Sequence, residues 1–380
     1  MSYSVGCRDP GCAARTGTLG LAHGAVETPV FMPVGTNATV KAASCEVLEE
    51  LGVELILANA YHLYLRPGAE VIREAGGLHA FMGWRRNILT DSGGYQVFSL
   101  ASLRRLSEEG VDFRSHLDGS SRHLSPEEVV EFQLLLGSDV LMPLDICTPP
   151  GIGEEEAREA LERTARWAGR SLRAWGAAGR KGLLFGIVQG NFYERLRLAS
   201  AERTVELDFP GYAIGGLSVG EPFEVFRDLV ALTAARLPDG LPRYLMGVGT
   251  PEYILEAVEN GIDMMDCVFP TRTARNAQAF TRRGRLNLRN EVNRLEAGPI
   301  EPECSCATCR RHSRSYLRHL FKCREIQAAA LTTRHNLHFL QNLMAEIRAS
   351  IREGRFTAFK RSFLESYKSG LEKRRGNAEQ

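Results

Sequence analysis

Eight short apolar runs, several of them rich in β-branched residues, divide the first 270 residues of this 380-residue chain at regular intervals. The runs are 28–34, 54–58, 87–90, 139–144, 182–188, 212–215, 243–247 and 261–266. Helical spacing of apolar residues fills most of the intervals between them, as in 42–51, 125–136, 154–175, 222–236 and 251–259. Eight strands that alternate with helices over about 240 residues match the (β/α)8 barrel, so we predict an α/β fold of this kind.

One interval departs from this alternation. Residues 110–125 alternate apolar and polar positions at Val111 and Phe113, before an Asp118-Gly119 turn signal. The pattern predicts a β-hairpin inserted after the third strand. A doubly wound open sheet is the competing topology, because it has the same alternation of strands and helices. The absence of a Gly-x-Gly-x-x-Gly motif after the first strand disfavours a dinucleotide-binding fold.

Polar or glycine-rich groups follow most of the apolar runs. They are Asn59, Asp91-Ser92-Gly93-Gly94, Asp145, Gln189-Gly190, Gly215-Gly216, Gly247-Val248-Gly249 and Asp266. In a barrel, the loops that follow the strands converge at one face, so these groups should meet at one mouth. A single aspartate at a strand end often caps a helix, but seven such groups together indicate a site.

The chemistry of this set is that of a base-binding pocket. Asp91, Asp145 and Asp266 accept hydrogen bonds, whereas the Gln189 amide and the N–H groups at 215–216 donate them. A guanine-like base carries ring N–H and amino donors beside a carbonyl acceptor. The set therefore complements a purine.

Charge is distributed unevenly along the chain. Residues 271–380 carry 23 Lys and Arg against 10 Asp and Glu, and residues 1–270 carry 24 against 36. We predict an acidic catalytic barrel over 1–270, with its lead-in, and a basic, polyanion-facing region over 271–380. A solvated basic surface without a partner is the alternative interpretation.

Three of the nine cysteines lie within six residues, at Cys304, Cys306 and Cys309. An odd number of cysteines disfavours a disulfide framework, so this cluster predicts a metal site. With one histidine it forms a complete tetrahedral zinc set without an open position, which is typical of a structural site. No apolar run approaches the ~20 residues of a bilayer span, and residues 1–10 lack the apolar core of a signal peptide. We therefore expect a cytoplasmic protein without a membrane partner.

Four longer motifs are more specific. They are Thr90-Asp91-Ser92-Gly93-Gly94-Tyr95-Gln96, Gly186-Ile187-Val188-Gln189-Gly190, Gly215-Gly216-Leu217-Ser218-Val219-Gly220-Glu221 and Asp266-Cys267-Val268-Phe269-Pro270-Thr271-Arg272. Together they resemble the tRNA-guanine transglycosylases, from about residue 28 to residue 363. That family consists of zinc-containing (β/α)8 barrel pentosyltransferases, which exchange the wobble guanine of certain tRNAs for a deazaguanine in queuosine biosynthesis.

The resemblance implies a role for each site residue. Asp266 would be the nucleophile that forms a covalent intermediate with the ribose, and Asp91 the general acid and base. The other implied contacts are with the base. Asp145, Gln189, Gly216 and the Leu217 carbonyl would recognise it, Tyr95 and Met246 would stack on it, and Cys147 and Val219 would shape the pocket for prequeuine, 7-aminomethyl-7-deazaguanine.

The resemblance also implies partners. The substrates would be the tRNAs for Asp, Asn, His and Tyr, which have GUN anticodons, and Arg272 and Arg275 would contact the anticodon region. His335 would be the fourth ligand of one structural Zn²⁺ per chain, and His312, His319 and His338 would not. Two subunits would form a homodimer that binds one tRNA near the zinc region.

The chain departs from the family pattern at a few positions. Ile146 stands where bacterial members have Glu, Asn191 stands where a second glycine is usual, and Thr273-Ala274 replaces a polar residue and glycine. These departures bear on how the base is held. The alternatives are a queuine-using or archaeosine-type transglycosylase, a non-catalytic tRNA-binding subunit, and a zinc-stabilised barrel hydrolase.

Overall fold

The structure is a computed structural model that describes residues 2–100 and 104–376. The strands in this part are β1 (Ser2–Arg8), β2 (Arg15–Leu21), β3 (Gly24–Thr28), β4 (Val30–Pro33), β5 (Leu55–Ala58), β6 (Asn87–Thr90), β7 (Arg104–Leu106), β8 (Val111–Arg114), β9 (Ser121–Leu124), β10 (Val140–Leu141), β11 (Leu183–Leu184), β12 (Gly186–Val188), β13 (Tyr212–Ile214), β14 (Arg243–Leu245), β15 (Met264–Cys267), β16 (Gln278–Thr281) and β17 (Gly284–Asn287). The α-helices are α1 (Cys45–Glu50), α2 (Ala60–Leu65), α3 (Ala69–Glu74), α4 (Leu78–Met82), α5 (Gly94–Leu100), α6 (Pro126–Leu136), α7 (Glu154–Ala177), α8 (Glu194–Glu206), α9 (Phe223–Ala234), α10 (Pro251–Glu259), α11 (Phe269–Arg275), α12 (Ala307–Arg311), α13 (Arg314–Lys322), α14 (Ile326–Arg352) and α15 (Phe356–Gly376).

All eight apolar runs contain parallel strands, which confirms the α/β class. The strands lie in two sheets, ordered β11-β10-β6-β5 and β12-β13-β14-β15-β4. One residue separates β11 from β12 along the chain. At the other ends of the sheets, Val34 forms an isolated parallel bridge with Leu57. Adjacent strands thus follow chain order, except where β15 pairs with β4.

The fourth run is a much shorter strand than its apolar pattern predicts. Residues 139–144 were expected to be extended, but only Val140–Leu141 pair as a strand. The Gln133 side chain accepts a hydrogen bond from the Met142 N–H at 2.9 Å and donates one to the Met142 carbonyl at 2.8 Å. The backbone beyond Leu141 therefore bonds to a helix side chain instead of a neighbouring strand.

The inserted hairpin is confirmed. Strands β8 and β9 pair antiparallel, and β7 adds a third strand to this sheet. A second antiparallel sheet, β1-β2-β3, was not predicted. It is fixed to the amino end of β15, where Tyr3 and Arg15 both donate hydrogen bonds to Asp263, each at 2.6 Å.

The long helix α14 joins the C-terminal region to the parallel strands. Phe339, Leu343 and Ile347 on this helix lie in the same buried cluster as Phe31 of β4 and Met265 of β15. A smaller cluster packs around the cysteines of the predicted metal site. The described helices are all too short or too polar to span a bilayer. The division at residue 270 stays a prediction.

Candidate active site and metal centre

Strand direction brings the predicted polar residues to one edge. Asp91 directly follows β6, Gln189 follows β12 and Gly215 follows β13. Asp145 lies four residues beyond β10, and Asp266 is the third residue of β15. Because these strands are parallel, their carboxyl ends face the same way, and side-chain contacts link several of these residues.

Asp91 is a buried carboxylate, 7% exposed. Its Oδ1 accepts hydrogen bonds from the N–H groups of Ala60 at 2.8 Å and Gly93 at 3.2 Å, and its Oδ2 accepts one from the Asn59 side chain. Burial raises the pKa of Asp91 to about 6, and the nearby negative charge of Asp266 adds to the rise, although the hydrogen bonds oppose it. Asp91 can therefore hold or release a proton near neutral pH.

Asp145 and Gln189 form a buried pair of acceptor and donor. The Gln189 side-chain amide donates a hydrogen bond to Asp145 Oδ2 at 2.7 Å, and the Ser92 hydroxyl donates one to Oδ1 at 3.0 Å. Burial raises the pKa of Asp145. A pair of this kind can both accept from and donate to the edge of a bound base.

Glycine is required beside this pair because the backbone approaches Gln189 closely. A Cβ at Gly215 would lie 2.6 Å from Gln189 Nε2, and a Cβ at Gly216 would lie 2.5 Å from Oε1. Gly216 also has φ +69°, in the left-handed region. The two glycines thus leave room for the amide. The Gly215 N–H, which the sequence suggested as a donor to the base, instead donates to the Val188 carbonyl at 3.0 Å, so Gly216 is the remaining candidate donor.

Asp266 is held through one of its two oxygens. The Tyr244 hydroxyl donates to Oδ1 at 2.6 Å, and the Gly247 N–H donates to the same oxygen at 2.8 Å. Burial raises the pKa of Asp266, and these two donors oppose the rise. An attack through Oδ2 would leave both hydrogen bonds in place.

The residues expected to wall the base pocket differ in exposure. Tyr95 on α5 is 55% exposed, Leu217 is buried, and Met246 after β14 is half-buried. Cys147 and Val219 are also half-buried, and burial raises the pKa of the Cys147 thiol to about 12. Their contacts with a base stay predictions.

Four residues that sequence reasoning left without a role organise the site. They are Asn59, which bonds Asp91; Tyr244, which bonds Asp266; Glu221; and Arg197. The Glu221 carboxylate accepts hydrogen bonds from three successive N–H groups, those of residues 218–220, and so fixes the loop after β13. The fully buried Arg197 donates to the Gly215 carbonyl at 2.8 Å. Asn59 was one of the seven polar groups that the sequence singled out, and Glu221 ends one of the four motifs, whereas Tyr244 and Arg197 had no sequence signal.

The structure shows the surroundings of two of the three departures from the family pattern, Asn191 and Ile146. Asn191 has φ +51°, a left-handed conformation that asparagine tolerates better than most residues, and its amide donates to the Thr148 hydroxyl at 2.9 Å. Ile146 is buried in an apolar cluster with Leu144 and Trp167. The isoleucine therefore belongs to the packing of this cluster.

The three cysteines that the sequence singled out converge with His335, the fourth ligand that the family resemblance implied. His335 Nδ1 lies 3.6, 3.6 and 3.3 Å from the Sγ atoms of Cys304, Cys306 and Cys309. Ligands at zinc–sulfur and zinc–nitrogen distances in a tetrahedron are separated by about 3.5 Å, so this donor set fits one ion. The Phe280 carbonyl lies 2.7 Å from His335 Nε2 and orients the ring with Nδ1 toward the sulfurs. The cluster can hold a metal ion.

The arginines of the basic region 271–380 differ in whether protein groups already bind them. Arg272 is exposed near the end of α11, and the buried Nη1 of Arg275 has no hydrogen-bond partner within the described residues. In contrast, Arg282 pairs with Glu346, Arg318 pairs with Glu291, and Arg314 donates to the Pro299 carbonyl at 2.8 Å. The arginines nearest the site are therefore the better candidates for RNA contact.

Comparison with known proteins supplies the family. The model of the family described as Queuine tRNA-ribosyltransferase matches residues 9–369. A queuine tRNA-ribosyltransferase of Thermoanaerobacter sp. (strain X514) is 53% identical over 367 residues, which cover 97% of this chain and 98% of the relative. Its counterpart in Pelotomaculum thermopropionicum is 54% identical, with 97% and 99% covered. A third, from Dehalococcoides mccartyi (strain ATCC BAA-2266), is 53% identical, with 96% and 93% covered.

Proposed function

The chain belongs to the queuine tRNA-ribosyltransferase family, and from this premise we propose that Asp266 and Asp91 carry out base exchange in two displacements. The protein is a tRNA-guanine transglycosylase, a pentosyltransferase of queuosine biosynthesis that acts on tRNA. The proposal concerns the residues, the incoming base and the tRNAs. One observation carries the proposal. Asp266 is held through Oδ1 alone, and its charge acts on Asp91, a second buried carboxylate whose pKa is about 6.

In the first displacement, Asp266 Oδ2 attacks C1′ of the wobble nucleotide. The C1′–N9 bond breaks, its electron pair goes to guanine, and Asp91 gives guanine a proton. A carboxylate suits this step because it can trap an oxocarbenium-like carbon and later leave, as in retaining glycosidases. The base must be out of the RNA stack to be reached, so the wobble nucleotide is flipped.

In the second displacement, the incoming base occupies the position that guanine has left. Asp91, now ionised, accepts the N9 proton of this base, N9 attacks C1′, and the Asp266–ribose bond breaks to restore the carboxylate. Asp145 and Gln189 would hold the base edge, and the N–H of Gly216 would donate to its carbonyl. Tyr95 and Met246 would cover the two ring faces.

The pH dependence of the first displacement should follow Asp91. The free enzyme must hold a proton on Asp91, whose pKa is about 6. We therefore expect kcat/KM for tRNA to fall about tenfold per pH unit as the pH rises above that value. Asn59→Ala removes a donor that stabilises ionised Asp91, so it should move this decline to higher pH. If kcat/KM falls at the same pH in Asn59→Ala as in the wild type, the group that controls this fall is not Asp91.

Prequeuine is the proposed incoming base. Its cationic aminomethyl group needs an acceptor and little room, which the Leu217 carbonyl and Val219 offer, whereas the larger ring of queuine should crowd Val219. A hydrogen bond to a charged group contributes roughly 1.5 to 3 kcal/mol, or about tenfold or more over unsubstituted 7-deazaguanine.

Competition for exchange into a tRNA with the U-G-U anticodon sequence tests this choice. Prequeuine should exceed queuine in kcat/KM, and Val219→Gly should narrow the gap while guanine exchange changes little. If queuine is preferred by the unaltered enzyme, this account of the pocket is wrong. Failure to incorporate labelled guanine at all would contradict the function itself.

We also propose that the two parallel sheets form one closed (β/α)8 barrel. The one-residue step from β11 to β12 and the Val34–Leu57 bridge support closure at both junctions. Sequential strand order argues against a doubly wound sheet, in which the order reverses. Residues 1–270 would form the barrel with its lead-in, and 271–380 the basic region packed on it.

The proposed substrates are the GUN-anticodon tRNAs for Asp, Asn, His and Tyr, with Arg272 and Arg275 at the anticodon region. The metal is proposed to be one structural Zn²⁺ per chain, since three sulfurs and one nitrogen leave no ligand position for substrate. A tRNA substrate and reduced cysteines favour the cytoplasm.

A homodimer is proposed near the metal centre. Val292, Leu295, Tyr316 and Ile326 in this region are 42% to 87% exposed, an unusual density of exposed apolar side chains. We expect a dimer by sedimentation at micromolar concentration, and Tyr316→Glu should weaken it at least tenfold. Leu117→Glu, at an exposed apolar residue of the inserted hairpin, is the matched control. A monomer that is fully active at the same dilution would contradict the proposal.

A further inference from the structure

A second group of metal-ligand side chains lies away from the proposed active site. His23 occupies the turn between β2 and β3, His79 lies on α4, and Asp139 immediately precedes β10. Asp139 is thus at the amino end of its strand, whereas Asp145 follows the carboxyl end. Base exchange as proposed above uses none of these three residues.

The distances within this group suit a shared ion. His23 Nδ1 lies 2.7 Å from Asp139 Oδ1, and His79 Nε2 lies 3.3 Å from Asp139 Oδ2. One donor atom from each residue can be chosen so that all lie within 4.8 Å of one another. Nitrogen and oxygen ligands around one zinc ion are about 3 to 3.4 Å apart. The present separations are therefore close to those of ligands of one ion.

The charge of Asp139 and the hydrogen bonding of His79 both favour a bound cation. The Asp139 side chain is 1% exposed. Its Oδ2 also accepts a hydrogen bond from the Ile88 N–H at 2.8 Å. In the described part of the chain, no Lys or Arg pairs with this carboxylate, and the buried His79 Nε2 lies 3.3 Å from Asp139 Oδ2 without the geometry of a hydrogen bond. A metal ion bound between this carboxylate and the two imidazoles would give His79 Nε2 a well-aligned partner and balance the buried negative charge.

We propose that His23, His79 and Asp139 bind a divalent transition-metal ion at the amino end of the strands. Two imidazoles and a carboxylate suit Zn²⁺ or Co²⁺, and water would complete the coordination. The ion would tie the β2–β3 hairpin, α4 and β10 together. Its effect would therefore be on stability, as expected for the face of a barrel away from the catalytic loops.

Metal binding requires one ring to turn. The His23 and His79 rings are stacked, with centroids 3.8 Å apart and planes inclined by 20°, so their nitrogens do not point at one position. His23 can turn because its side chain is 37% exposed. Its backbone is held meanwhile, because Asn87 accepts a hydrogen bond from the His23 N–H at 3.1 Å and donates one to the Gly24 carbonyl at 3.1 Å.

Cobalt titration of the full-length protein, prepared with one zinc per chain so that only the cysteine site is filled, tests the proposal. Calorimetry should show one Co²⁺ bound per chain, and the visible spectrum should contain weak cobalt bands without the intense thiolate-to-cobalt absorption that exchange at the cysteine site would cause. His79→Ala should weaken this binding at least tenfold, and Co²⁺ should raise the Tm of the wild type but not of the variant. Guanine exchange should be unchanged in His79→Ala.

His123→Ala is the matched control. His123 also contacts an aspartate, with Nδ1 2.8 Å from Asp112 Oδ1, but this pair is exposed and is not part of a three-ligand group among the described residues. Its removal should leave cobalt binding intact. If His79→Ala does not fold, the more exposed His23→Ala replaces it. The proposal is wrong if the wild type binds no Co²⁺ beyond the cysteine site, or if both His79→Ala and His23→Ala bind it as the wild type does.

Discussion

Asp266→Asn is expected to lower base exchange by at least about 10⁴-fold and to abolish the covalent enzyme–RNA adduct. Asparagine keeps an Oδ1 acceptor for Tyr244 and Gly247, so the local structure should survive, but its amide cannot attack C1′. Incubation with tRNA and separation on a denaturing gel should show a shifted band for the wild type alone.

Two further variants sharpen this test. Tyr244→Phe removes only the hydroxyl that bonds Asp266, so the adduct should still form, about tenfold more slowly. Asp91→Asn should impair guanine release while Asp266 stays available. If the band persists in Asp266→Asn and disappears in Asp91→Asn, the two carboxylates have the opposite roles.

Cys306→Ala is expected to eliminate the zinc bound at the cysteine site and to lower the Tm by roughly 5–10 °C, which corresponds to a loss of a few kcal/mol in a domain of this size. Cys306 is buried, and its Sγ contacts His335 of α14 and accepts a hydrogen bond from the Cys309 N–H at 3.3 Å. Removing one of the four metal ligands should therefore loosen the packing of the small buried cluster around the cysteines. Metal analysis together with thermal unfolding measures both effects.

Cys323→Ala is the control for that experiment. Cys323 is exposed at the end of α13 and lies outside the ligand group. Zinc content and Tm should therefore stay at their wild-type values. A metal-free Cys306→Ala protein with unchanged Tm would contradict a structural role for the ion.

The apolar runs predicted the parallel strands well because each strand is marked by its own few consecutive apolar residues. The run 87–90 coincides with β6, and 212–215 exceeds β13 by one residue. Pattern failed where a tertiary contact decides the structure, as at Met142, whose backbone bonds the Gln133 side chain. It also missed β1, because this strand is largely exposed and lacks an apolar face.

The residues of the candidate site likewise divide into those that local sequence marks and those that only tertiary contacts reveal. Asp91, Asp145 and Gln189 could be found because each follows an apolar run. Tyr244 could not, since a tyrosine within a strand looks like an ordinary core residue until its hydroxyl is seen on Asp266. Arg197 lies on α8, 18 residues before Gly215, and only the fold shows that it donates a hydrogen bond to the Gly215 carbonyl.

The electrostatic coupling between Asp91 and Asp266 has a consequence for the order of the reaction. The negative charge of Asp266 helps Asp91 to keep its proton in the free enzyme. In the proposed mechanism Asp266 becomes an ester with the ribose and loses that charge, so Asp91 would become a stronger acid at the moment when it must stay ionised to receive the next base. Transfer of the ribose to the incoming base would restore the negative charge of Asp266 and return Asp91 to its state in the free enzyme. In this proposal the charge state of Asp266 sets whether Asp91 acts as an acid or as a base, and no conformational change is needed.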